Sequence, residues 1–237
     1  MSDKWKSIWS QKKQLKDKNI SLDSLIKADG FDTGVGSYTS DKWKLMVADV
    51  CNRLEIKDTD NVIELGCGSG AFIFAANYIC KANWFGIDYS ESLIKTANKA
   101  IPEGNFIVDE ALNDNFSEIE FDVVLSHSVF QYFPNKSYAE NVLKLWCSKL
   151  KKGGLLALLD INDVIKEETY HAERAKEYSS LEEYEENYKG LSHLFFDKIA
   201  LTDFLSGIGM LDFEFFPHKV PEYGNSKFRF NLICKKY

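Results

Sequence analysis

No apolar run in this 237-residue sequence approaches the roughly eighteen residues that a membrane-spanning helix needs. The opening MSDKWKSIWSQKKQ also lacks the apolar stretch of a secretory signal, so a cytoplasmic protein with no membrane partner is expected. The cysteines, Cys51, Cys67, Cys80, Cys147 and Cys234, form no CxxC pair and no His/Cys cluster at zinc-ligand spacing. They are expected to be reduced, mostly buried thiols, and no metal site is predicted. Excess positive charge is missing too. A formal net charge of −7 and a pI near 5.2 argue against a broad phosphate-tracking surface, so no nucleic-acid partner is expected and a small molecule is favoured, with protein or RNA as disfavoured alternatives. Internal repeats and low-complexity tracts are absent as well.

What remains is an ordinary globular composition, 45% hydrophobic and 27% charged, in a chain long enough to bury one substantial core. A single domain over residues 1–237 is expected, as a monomer or homodimer. Charge is uneven along it: residues 1–18 are rich in lysine, while 161–189 are acidic and tyrosine-rich. From residue 60 onward, short apolar runs alternate with helix-length amphipathic segments, the pattern of βαβ units in a mainly parallel sheet. Strands are predicted at Asn61–Leu65, Trp84–Ile87, Asn105–Val108, Asp122–Ser126 and Leu155–Leu159. Two more, Leu211–Phe216 and Phe228–Cys234, are expected to pair as a C-terminal antiparallel hairpin, giving seven strands on a doubly wound α/β plan. Helices are predicted near 70–80, 90–100, 137–150 and 198–206, with Ser90 and Ser137 as N-caps of the second and third. The first forty residues, which hold the glycine-spaced DGFDTGVGSYT from Asp29 to Thr39, are expected to form a flexible lid rather than core.

The strongest local signal is VIELGCGSG, Val62–Gly70: an apolar strand carrying Glu64, then Gly66, Gly68 and Gly70 opening into a helix. Glycines there let the backbone approach a ligand closely. Taken alone, Gly66, Gly68 and Ala71 also fit a dinucleotide-binding loop. The next strand, NWFGID, ends in Asp88, where a carboxylate can accept both hydroxyls of a ribose, and the third, NFIV, is followed by Asp109. Three successive strand ends thus each present a carboxylate. A dehydrogenase reading gives Asp109 no role, puts an acidic residue where dinucleotide sites are apolar, and lacks a substrate domain.

The series resembles the class I S-adenosylmethionine-dependent methyltransferases, whose motifs are matched by VIELGCGSG, GIDYS (86–90), IVDEAL (107–112), FDVVLSHSVFQYF (121–133) and LKKGGLLALLD (150–160). The resemblance covers roughly residues 60 to 235 and implies a Rossmann-like fold with S-adenosylmethionine as cofactor and S-adenosylhomocysteine as product. It divides the chain into an N-terminal lid or helical segment (1–45), a cofactor-binding core (46–160), a cap insertion (161–195) and a C-terminal helix with a strand pair (196–237). It implies that Gly66 and Gly68 lie under the methionine part of the cofactor with Glu64 near its amino group. Asp88 would hold the ribose diol, Asp109 would accept from the adenine amine, and Tyr89 and Ala111 would flank the ring. Cys67, Glu110 and Ser126 complete the expected cofactor set.

Ligands in open α/β sheets sit outside the carboxyl ends of the strands, which brings His127 of SHSVFQYF near the reacting methyl as first candidate base. An alcohol acceptor would gain from a base; a carboxylate or phosphate oxygen would need none. Tyr38, Gln131, Tyr170 and His193 are the candidate acceptor contacts, with Tyr178, Tyr184 and Tyr188 available for an aromatic wall. Trp5, Trp9 and Tyr38 can close over the site from the N-terminal side, and Lys12 and Lys13 can then meet an anionic substrate. A D/N/S-P-P-Y/F motif after the fourth strand, expected of a DNA amino-methyltransferase, is absent. Small-molecule O-methylation therefore leads, with N-methylation and a non-catalytic cofactor-binding subunit as alternatives. The WKSIWSQKK start resembles bacterial methyltransferases of capsule and surface-glycan assembly, which implies a sugar, sugar nucleotide or phosphorylated precursor as acceptor.

Overall fold

The computed structural model describes residues 3–16, 19–32 and 36–237; residues 1–2, 17–18 and 33–35 lie outside the described residues. Strands β1 (Asn61–Leu65), β2 (Asn83–Asp88), β3 (Asn105–Val108), β4 (Phe121–His127), β5 (Leu150–Asn162), β6 (Met210–Phe216) and β7 (Arg229–Lys236) form one sheet in the order β3-β2-β1-β4-β5-β7-β6. β7 runs antiparallel to both its neighbours and the other pairings are parallel, so the expected Rossmann-like architecture with a C-terminal antiparallel pair is the observed one. β1 shows why a sheet of this kind gives apolar runs instead of alternation. Val62, Ile63, Glu64 and Leu65 are all buried, because helices cover both faces. β5 extends well beyond the expected Leu155–Leu159. Gly153 and Gly154 mark an irregular start that a register shift between Phe121 and Val123 accommodates.

The helices are α1 (Asp3–Ser10), α2 (Leu22–Ala28), α3 (Ser40–Leu54), α4 (Ala71–Ala76), α5 (Glu91–Ala100), α6 (Lys136–Ser148), α7 (Glu167–Ala175), α8 (Leu181–Tyr188) and α9 (Lys198–Gly207). On one face of the sheet α2, α3, α4 and α5 pack through Leu25, Trp43, Val47, Val50, Phe72 and Ala97. On the other, α6 and α9 bring Val142, Leu143, Trp146, Leu201 and Leu205 against Val124, Leu156 and Leu232. α3 has its apolar residues at helical spacing, with Trp43, Met46, Val47, Val50, Cys51 and Leu54 buried, and Thr39 caps it by accepting from the Lys42 N–H.

The first forty residues are not uniformly a lid. Leu25 and Ile26 are only 0% and 2% exposed, so α2 is core, while α1 reaches the ends of β2 and β3, with Trp9 O accepting from Ser90 and Lys6 paired with Glu110. Two caps also differ. Ser90 stands at the N-cap of α5, but its hydroxyl donates to Trp9 O instead of closing the helix. α6 is capped by Asn135, accepting from Tyr138 N–H at 2.8 Å, and Ser137 lies inside it. All five cysteines are buried and free.

The fold places a crevice at the carboxyl ends of β1, β2, β3 and β4. Strand order reverses between β1 and β4, the place where open α/β sheets bind ligands.

Candidate functional site

After β1 the chain turns at once through Gly66, Cys67 and Gly68 into α4. Gly66 (φ +72°) and Gly68 (φ +54°) are left-handed, a conformation that a Cβ makes costly. There is no room for one either: a Cβ at Gly66 would lie 2.5 Å from Val129 Cγ2, and one at Gly68 would lie 2.5 Å from Asp29 Oδ1. The loop is therefore wedged between the end of β4 and the end of α2.

Three carboxylates converge on this loop and line one cavity. Asp29, the last residue of α2's cap, accepts from Ser69 N–H at 2.7 Å. Asp88 accepts from Gly68 N–H at 3.0 Å and Ser90 N–H at 2.8 Å. Glu64 is buried with Oε2 unpartnered. Burial pushes Asp29 up to about 7 and Asp88 up to about 6. Glu64 is raised well above the usual carboxylate range by burial and then by the charges of Asp29 and Asp88. No lysine or arginine balances any of the three among the described residues. Such a cluster calls for a ligand that brings its own positive charge and hydrogen-bond donors.

The neighbouring wall is made by Tyr89, Asp109, Glu110 and Ala111. Asp109 is already engaged by the Asn113 amide at 2.6 Å, the Glu110 N–H at 2.7 Å and Asn115, which hold it below its ordinary range. α1 closes this side. Lys6 pairs with Glu110, Trp9 lines the cavity, and Trp5 donates to Ser192 O at 3.3 Å while stacking on His193.

At the other end the cavity is bounded by His127, Ser128, Tyr132, Tyr223, Asn225 and Arg229. His127 is caged by the rings of Phe31, Trp43 and Phe72 at 5.3–6.2 Å, and burial lowers it to about 4. It is a neutral imidazole at neutral pH and a weak proton acceptor. Arg229 is buried beside it. One nitrogen, Nη1, meets Asp160, Ser128 Oγ at 3.2 Å and Tyr223 Oη at 3.1 Å, while Nε has no partner.

Of the residues expected from sequence, Glu64, Gly66, Cys67, Gly68, Asp88, Tyr89, Asp109, Glu110, Ala111 and His127 line this single cavity. Ser126 does not. Its hydroxyl donates to Leu65 O at 2.9 Å and ties β4 to β1. Tyr38, Gln131, Tyr170 and His193 lie behind the wall. Gln131 donates to Ser128 Oγ, and Tyr170 bonds His193 Nδ1 at 3.1 Å. The insertion's tyrosines form no wall of the cavity: Tyr178, Tyr184 and Tyr188 pack on one another. Lys12 Nζ lies over the Trp9 ring at 5.2 Å, Lys13 is exposed, and neither lines the cavity. The sequence reading missed Asp29 and Arg229. A lone arginine between Phe228 and Phe230 in an apolar run was the available sign of the second.

A sequence model of a methyltransferase domain matches residues 56–202. The 2-methyl-6-phytyl-1,4-hydroquinone methyltransferase of Synechocystis sp. is 33% identical over 107 residues, 43% of this chain and 32% of that protein. The chain's matches span less than half the length of each of the curated relatives found. Among solved structures, magnesium protoporphyrin IX methyltransferase from Synechocystis with bound SAH superposes with TM-score 0.62 at 14% identity, over 99% of this chain and 94% of that one. An amino pentose methyltransferase from Micromonospora echinaspora, involved in calicheamicin biosynthesis, gives TM-score 0.59 at 11% identity, covering 82% and 92%. With the fold and over half of the sequence matched, the chain belongs to the class I S-adenosylmethionine-dependent methyltransferases.

Proposed function

We propose that the protein transfers the methyl group of S-adenosylmethionine to a small acceptor bound at the Arg229 end of the cavity. The observation that carries this reading is the uncompensated trio Glu64, Asp29 and Asp88 around the glycine loop. The residues fit the cofactor: Glu64 Oε2 is a buried acceptor without a donor, and an α-ammonium group supplies both the donor and the missing charge. Glu64 and Asp29 would hold that ammonium, Asp88 the ribose hydroxyls, and Asp109 the adenine amine, with Tyr89 and Ala111 beside the ring.

S-adenosylmethionine, when bound, supplies an electrophilic methyl on a sulfonium. The chain's own contribution is alignment and dryness. Phe31, Trp43, Phe72 and His127 present an apolar wall, and Trp9 shields the mouth; positioning of this kind contributes roughly 7–11 kcal/mol to a displacement. Neutral His127 does not supply a ready base. Acceptors that are nucleophilic without losing a proton, or that lose it to water as the methyl arrives, suit the site better than an alcohol needing prior deprotonation. Among the acceptors expected from sequence, an oxygen of a sugar, sugar nucleotide or phosphorylated precursor of surface-glycan assembly, Arg229 supports the anionic members. A small-metabolite amine is the second reading. Residues 3–16 would serve as lid, and 161–195 as a brace behind Tyr132.

Calorimetric titration with S-adenosylhomocysteine and with NADH, on wild type and Asp88→Ala, tests the reading. Micromolar binding of the homocysteine compound alone, weakened at least tenfold in the variant, is expected. Binding of NADH in its place overturns it.

A further inference from the structure

Arg229 is the first residue of β7, paired with Asn162 at the carboxyl end of β5. From β1 to β7 the sheet passes through β4 and β5, three strand spacings or roughly 14 Å, so Arg229 stands well away from the Glu64 end of the cavity. Its side chain is 4% exposed, yet it lines the cavity. A buried arginine whose task is only to pair with a carboxylate ordinarily uses both prongs of its fork. Here Asp160, Ser128 and Tyr223 all crowd onto Nη1, and Nε is left buried without a partner.

The surroundings are built to hold the guanidinium in place. Asp160 (φ +61°) and Ser128 (φ +58°), two of its three ligands, are non-glycine residues in left-handed backbone at the ends of β5 and β4. His218 Nε2 lies 3.2 Å from Asp160 Oδ1 on the other side, and Tyr223 Oη accepts from the Asn225 amide at 3.3 Å. Asn225 lines the same cavity and keeps a buried, unpartnered Oδ1.

We infer that Arg229 is a specificity-determining residue that anchors an oxyanion, a carboxylate or a phosphate ester, on the methyl acceptor. The inference rests on the methyl-transfer reading above and names the acceptor's class. The anchored oxyanion lies apart from the atom that takes the methyl, because a guanidinium drains the nucleophilicity of an oxygen that it holds. Arg229 positions that acceptor by its fork, and Asp160 keeps the fork charged and oriented.

The test titrates the protein, with and without saturating S-adenosylhomocysteine, with benzoate, phenyl phosphate and the neutral benzamide. At least one anion should bind tenfold or more tightly than benzamide, and which one does separates carboxylate from phosphate. Arg229→Lys keeps the charge and loses the fork. The double variant Arg229→Met, Asp160→Asn removes both charges together and so leaves no unpaired buried carboxylate. Both should lose tenfold or more in anion affinity while their affinity for S-adenosylhomocysteine stays within twofold of wild type. Equal binding of benzamide, or anion binding unchanged in both variants, overturns the inference. So does a parallel loss of S-adenosylhomocysteine affinity, which would place the cofactor's own carboxylate on Arg229. Failure of wild type to bind S-adenosylhomocysteine, with anion selectivity intact, would sink the methyltransferase reading and leave the anion site standing.

Discussion

Asp29 and Asp88 give the site a proton linkage whose size can be worked out. In the free protein their carboxyls titrate at about 7 and about 6, because burial opposes the charged form. A bound ammonium reverses that preference at Asp29, and Asp88 accepts from both ribose hydroxyls only as the carboxylate, so on this assignment both ionise when S-adenosylhomocysteine binds. Going from pH 7 to pH 6, the ionised fraction of a group with a pKa of 7 falls roughly 5.5-fold, and that of a group with a pKa of 6 roughly 1.8-fold, a combined loss of affinity of about tenfold. Glu64, shifted in the same direction, makes tenfold the lower bound. The sign for stability follows from the same shifts. Both folded values exceed the ordinary 3.8, so folding favours the protonated forms. The ligand-free protein is most stable below about pH 4 as far as these groups are concerned and loses that contribution as pH rises to 7. Calorimetry of S-adenosylhomocysteine binding at pH 6 and 7, in two buffers of different ionisation enthalpy, reads both the affinity and the protons released. Asp29→Asn should shrink the dependence by roughly its own 5.5-fold share. A dissociation constant that stays flat from pH 6 to 7, or a variant with the full dependence, would refute the assignment of Asp29 to the ammonium.

Gly66→Ala sets a Cβ in left-handed backbone, about 1–2 kcal/mol of strain, and 2.5 Å from Val129. The expected outcome is a lower melting temperature and at least a hundredfold loss of S-adenosylhomocysteine affinity. Ser126→Ala removes only the tie to Leu65 O, so denaturant titration should show a loss of about 1 kcal/mol, with cofactor affinity unchanged. His127 should give NMR ring shifts of the neutral form down to about pH 5, since burial holds it near 4. Once an acceptor is in hand, His127→Gln should leave the pH–rate profile above pH 6 without a new break. A break near 6.5 in wild type that vanishes in the variant would restore His127 as the base.

The strand ends carrying Glu64, Asp88 and Asp109 were legible because a parallel sheet ties function to position: each βα unit is local, and its last residues face the crevice whatever the rest of the chain does. What stayed hidden shares one property. Asp29 meets Ser69 across 40 residues, and Arg229 meets Asp160 across 69. Such pairs leave no period or spacing in the sequence, since each partner sits in an element with its own local pattern: a helix cap for Asp29, a buried strand for Arg229. The tyrosines of 161–189 misled for the converse reason. Tyr170 on α7 and Tyr184 and Tyr188 on α8 show in sequence as aromatic positions, but not what they cover, and they pack on His171, His193 and Phe195 instead of the cavity. Lys12 and Lys13 were prominent because charge on a short exposed segment is easy to see. The cation at the cavity is instead one that needs Asp160 to be buried at all: burial alone would lower the Arg229 guanidinium, and the carboxylate beside it more than offsets this. On the inference drawn above, the residues that select this protein's acceptor come from the junction of β4, β5 and β7, where only tertiary structure decides which polar side chains meet.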